Sequence, residues 1–134
     1  MKSTRHSFTA GSVILMLSGV AHFFGQFGGG SNLQREAIYV LMKDNKGHSL
    51  GLTYTLWGVM QAWGIGFGVL LFFLGLQNLL TAAALAQDAA ALRRAAASSA
   101  VCVVALVAMA LAFQIAPPAL LLGPAALCFI AAAI

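Results

Sequence analysis

The chain carries ten charged side chains, seven basic and three acidic, and where they sit constrains the fold more than any motif does. They fall at Lys2, Arg5, Arg35, Glu36, Lys43, Asp44, Lys46, Asp88, Arg93 and Arg94, leaving residues 6–34, 47–87 and 95–134 without a formal charge. Each of these stretches exceeds the roughly 20 apolar residues that cross a bilayer core. With 61% hydrophobic residues, 7% charged residues and a mean hydropathy of +0.93, the chain is far from a soluble domain, where about a quarter of residues are charged. It reads as an integral membrane protein, residues 1–134 forming a single membrane domain with no polar segment long enough for a separate soluble catalytic unit.

The net charge of +4 and pI near 9.6 do not point to nucleic acid. The basic residues are scattered over three short polar segments beside apolar spans, the pattern of membrane-flanking loops. Cys102 and Cys128 both lie inside apolar stretches, where they read as small packing residues rather than disulfide partners or metal ligands. Lys2 and Arg5 ahead of Val13, Ile14, Leu15, Met16 and Leu17 imitate a secretory leader. The apolar run continues through His22 to Phe27, so this segment is expected to stay as an uncleaved first span.

The reading is an all-α membrane protein, an antiparallel bundle of four transmembrane helices. The spans are expected at about 8–27, 54–78, 95–116 and 119–134, with a short interfacial helix at about 33–43 between spans one and two. Gly28, Gly29, Gly30 and Ser31 break the first span, and Ser31 with Gln34 has capping-box spacing. On the short helix, Leu33, Ala37, Val40 and Leu41 share a side, as in a helix lying in the interface, and Gly47 is a plausible stop. The second helix is expected to run past the membrane and turn near Gln87 and Asp88, with Arg93 and Arg94 marking the approach to span three. Pro117 and Pro118 read as the hairpin between spans three and four, and Pro124 is placed to kink the last. With the N-terminus inside, the inner side holds Lys2, Arg5, Arg93 and Arg94 against Arg35, Lys43 and Lys46 outside, which favours both termini in the cytoplasm.

No Asp, Glu, Lys or Arg falls within a span, which speaks against a proton-coupled pump or cationic-drug exporter. His22 is the one histidine at membrane depth. Gly11, Ser18, His22, Gly25, Gln26 and Gly29 share one side of span one on a helical wheel. Trp57, Gln61, Gly64, Gly68 and Gly75 share an arc of span two, with Tyr54 nearby. Gly64 and Gly68 form a small-xxx-small pair, and with Gly75 they are expected to pack helices closely. Matching depths on neighbouring spans gather His22, Gln26, Trp57 and Gln61 into one polar cluster, with Tyr54 at its rim and Gln114 reaching it from span three. Such residues serve either as interhelical hydrogen-bonding glue or as contacts to a ligand. A b-type haem would need a second intramembrane histidine, whereas His6 and His48 flank the spans, and no nucleophile and base are paired. No catalytic residue, metal or cofactor is assigned.

The segment Leu17-Ser18-Gly19-Val20-Ala21-His22-Phe23 and the glycine-rich run from Gly64 to Leu76 resemble those of DoxX-like small bacterial membrane proteins. The resemblance covers most of the chain as architecture. It implies four spans, a polar or partly inserted segment after the first, a short hairpin between the last two, and a multi-pass location in the bacterial inner membrane. No catalytic residue is carried over from it. Two function classes remain open. The first is a non-enzymatic accessory or interaction subunit that associates with itself or a membrane partner. The alternative is a binding protein or enzyme for an apolar small molecule (a quinone, lipid or isoprenoid) held beside His22.

Overall fold

The structure, a computed structural model, describes residues 2–27 and 33–134. The chain forms α1 (Lys2–Gly25), α2 (Leu33–Asp44), β1 (Lys46–Ser49), β2 (Leu52–Thr55), α3 (Leu56–Ala84), α4 (Ala89–Ala112) and α5 (Ala116–Ala133). Helices α1, α3, α4 and α5 are each long and apolar enough to cross a membrane, the mark of a multi-pass membrane protein. The glycine breaker and Ser31 of the expected capping box lie outside the described residues.

Helix α1 is the hub. It packs along α3 on one side and α5 on another, α4 packs along α5, and α4 scarcely touches α1 or α3. The core is a narrow seam, with Phe8, Leu15, Leu71, Val103, Leu122 and Phe129 almost fully buried. Phe8 and Phe129 meet edge to face at 5.5 Å. Outside this seam, Leu17, Leu70, Phe73, Leu80, Val101, Leu111, Leu120 and Leu127 are each more than half exposed. A surface this apolar is tolerated against lipid and is an aggregation liability in water.

Polar groups on these helices are mostly satisfied from within the chain, as a bilayer requires. Ser12 Oγ donates to the Phe8 carbonyl at 2.7 Å, while Ser18 Oγ faces the Ile14 carbonyl of its own helix at 2.8 Å and the Leu121 carbonyl of α5 at 3.2 Å. The second contact lies one turn before Pro124, which sits inside α5 without a backbone N–H. Asp88 caps α4 by accepting from the Ala91 N–H at 2.8 Å, and Thr55 caps α3 by accepting from Gly58 at 3.0 Å.

Two expectations change. The segment before α3 is not purely helical: β1 and β2 form an antiparallel hairpin in register Lys46↔Thr55 to Ser49↔Leu52. Leu50 and Gly51 take φ values of 51° and 76°, the twist of a two-residue hairpin turn, and the β-branched Thr53 and Thr55 suit the second strand. Gly47 therefore belongs to β1 and Tyr54 to β2, where each had been expected to end or begin a helix. Second, Pro117 and Pro118 lie in the first turn of α5, where a missing N–H costs nothing. The α4–α5 reversal is made by Phe113, Gln114 and Ile115, with Gln114 at φ 56°. Arg93 and Arg94 lie in the first turns of α4, whose Asp88 cap starts the helix six residues before 95.

Candidate functional site

The two faces of α1 are built differently. Toward α3, glycines let the backbones touch: a Cβ on Gly19 would lie 2.6 Å from the Gly68 carbonyl oxygen, and one on Gly68 would lie 2.9 Å from that of Gly19. A Cβ on Gly75 would meet the Ser12 carbonyl oxygen at 2.6 Å. These contacts climb α1 as they descend α3. Gly68 and Gly75 thus sit in the packing seam, and their partner Gly19 was missed because the wheel grouped α1 around Ser18 and His22. Gly25, grouped with that face, has open space around it.

Beyond Gly19 the seam gives way to polar groups. Gln26 Nε2 lies 3.4 Å from His22 Nε2. The Gln26 carboxamide occupies the space that a Cβ on Gly64 would fill, so Gly64 is a seat for Gln26 more than a backbone contact. The His22 ring meets Phe67 of α3 edge to face at 5.2 Å. An amide nitrogen can only donate. In this arrangement His22 Nε2 accepts, and the neutral ring carries its proton on Nδ1.

His22 also forms part of the wall of an open cleft of about 450 Å³, bounded by Trp63, Gly64 and Phe67 of α3, by Leu106, Met109, Ala110 and Phe113 of α4, and by Ile115, Pro118 and Leu122 at the start of α5. The volume falls within the roughly 300–1,000 Å³ of small-molecule sites. The gap exists because α3 and α4 leave their connecting turn and find no close seam between them. Their polar contact is the Ser99 hydroxyl donating to Asn78 Oδ1 at 3.4 Å, while Asn78 Nδ2 is buried without a partner among the described residues. Trp63, Met109 and Phe113 are more than half exposed and frame the mouth.

The other expected members of the polar cluster have different surroundings. Trp57 packs against Tyr39 of α2, with ring centroids 4.5 Å apart and planes tilted by 59°. Tyr54 lays its ring over Gly47 across the hairpin, an aromatic filling the space of a missing side chain. Gln61 has a buried Oε1 without a partner among the described residues, and Gln114 is exposed in the α4–α5 turn. The cleft walls drawn from α4 were not foreseen, since Leu106, Met109 and Phe113 look like ordinary lipid-facing residues in sequence. The Asn78–Ser99 contact had a readable signal: two polar residues in apolar helices, on either side of the 85–88 turn. Among the described residues, no three His, Cys, Asp or Glu side chains come together as a metal-binding group.

Comparison with known proteins gives no matching family, no matching curated protein and no matching solved structure.

Proposed function

We propose that this protein is a four-span antiparallel bundle that binds an apolar small molecule from the membrane in the cleft between α3 and α4. The observation that carries this reading is the cleft itself: a gap of about 450 Å³ whose lining is apolar apart from the His22 imidazole and the indole N–H of Trp63. Such a lining suits a hydrophobic ligand with one uncharged polar group, and the lack of a carboxylate or ammonium at the site disfavours a charged solute. Native mass spectrometry of protein purified in mild detergent tests it. Wild type is expected to retain a hydrophobic ligand that Ala110→Phe, which fills the cleft, loses; identical profiles would remove the reading's support.

The bundle is placed in the inner membrane with both termini cytoplasmic. Lys2, Arg5, Arg93 and Arg94 against Asp88 mark the inner end, and Arg35, Lys43 and Lys46 against Glu36 and Asp44 the outer. Helix α2 then lies in the outer interface, and the outline is that of the DoxX-like proteins. A second reading, an accessory subunit that docks a membrane partner or another copy, is favoured by the apolar tips of the outer segment, where Leu33, Leu41, Leu50 and Leu52 are each at least 70% exposed. Crosslinking in native membranes that captures neither a partner nor a second copy would remove that reading.

A further inference from the structure

We infer that the occupant of the cleft is an ester-linked glycerolipid of the surrounding bilayer, which slides one acyl chain sideways between α3 and α4 and places its ester carbonyl on His22. The inference rests on the binding function proposed above and names the class of ligand.

Three observations lead to it. The mouth opens sideways, since α3 and α4 scarcely touch and its frame is the exposed Trp63, Met109 and Phe113. On helices that cross a membrane, such an opening faces lipid chains rather than water. The polar groups at the cleft are N–H donors, the Trp63 indole at the mouth and His22 within: Gln26 occupies His22 Nε2, and among the described residues Nδ1–H has no acceptor, so it is available to donate to a neutral oxygen.

Depth selects which oxygen. Helix α1 has 24 residues, about 36 Å of helix against a hydrocarbon core of about 30 Å. His22 lies three residues before its end at Gly25, about 5 Å along the axis, close to the edge of the core. In a glycerolipid the ester carbonyls lie at this boundary, with the acyl chain running inward from them. The apolar walls from Phe67 and Leu106 then meet the chain, and no protein charge meets the headgroup inside the cleft. A free fatty acid would bring an anion that the site does not pair.

The test compares two lipids that differ only at the two acyl linkages: dioleoyl phosphatidylglycerol and its diether analogue, which has the same headgroup but no ester carbonyl. Each is titrated onto delipidated full-length protein and read by native mass spectrometry. Wild type is expected to hold the diester about five- to tenfold more tightly, the worth of one hydrogen bond. His22→Leu should lose that preference, His22→Gln, which keeps a donor, should retain part of it, and Ala110→Phe should lose both lipids. Equal binding of the two lipids, abolished by Ala110→Phe, would overturn the ester assignment and leave the cleft as a binding site for another apolar molecule. Binding of both lipids that ignores Ala110→Phe would overturn the cleft as well.

Discussion

Helix α3 meets two neighbours in opposite ways. Against α1 it presents Gly68 and Gly75, and the backbones approach until no Cβ fits. Against α4 it presents Trp63 and Phe67 across an open cleft. Both faces are apolar and belong to one continuous helix. Without a hydrophobic driving force between helices in lipid, close association depends on van der Waals fit and small residues. The first face has these and leaves only a shallower groove of about 250 Å³ along its edge, whereas the second has bulk without a complementary surface and leaves the larger gap, about 450 Å³.

The largest effect expected from breaking this contrast is at the seam. Gly68→Ala drives a methyl group into the Gly19 carbonyl and the Phe23 backbone and should lower stability by about 1–3 kcal/mol, seen as a lower Tm in detergent. Gly66, two residues away, has nothing within 4 Å of a Cβ, so Gly66→Ala should be neutral or gain up to about 1 kcal/mol in helix propensity. Equal losses at both positions would mean that α1 and α3 are not in backbone contact.

At the rim of the cleft, Gln114→Gly relieves a left-handed residue at φ 56° and should raise stability by about 1 kcal/mol; a lower Tm would show that the turn is held some other way. Ala110→Phe enlarges a position that is only 6% exposed but borders the cleft; it is expected to remove bound ligand at a cost of about 1 kcal/mol, the low end of overpacking, because part of the ring reaches open space. A large destabilisation would mean that the cleft is filled by protein. Between α3 and α4, Ser99→Ala removes the hydroxyl that reaches Asn78. The expected cost is about 0.6 kcal/mol, typical of hydrogen bonds between membrane helices, and a loss of several kcal/mol would indicate a much tighter α3–α4 contact.

Much of the helical layout was legible because charge placement and apolar length act locally along the chain. The four apolar helices follow from apolar length and charge placement, and helical spacing is what sets Gly68 with Gly75, and His22 with Gln26, on shared faces of their helices. The hairpin was hidden because its turn uses Leu50 ahead of Gly51, where the usual signal is Asn or Asp before Gly. Pro117 and Pro118 misled because proline breaks a helix interior yet fits a first turn, and the sequence shows the residue without its position. The proposed cluster was drawn from spans one and two, with Gln114 alone added from the end of span three. Its outer members turned to local partners, Trp57 to Tyr39 and Tyr54 to Gly47, and the cleft beside His22 depends on α4, whose large apolar residues carry no marker that separates a cleft wall from a lipid-facing surface.

The measurement that reaches the central contrast most directly is quenching of a single tryptophan by chain-brominated phospholipid. In a Trp57→Phe, Trp63→Phe background, Phe67→Trp places the fluorophore on the cleft wall and Leu71→Trp places it on the buried face of α3 between Gly68 and Gly75. Strong quenching at position 67, reduced by adding Ala110→Phe, together with weaker quenching at position 71, is the expected result. Equal quenching at the two positions, indifferent to Ala110→Phe, would contradict a lipid-accessible cleft beside a closed seam.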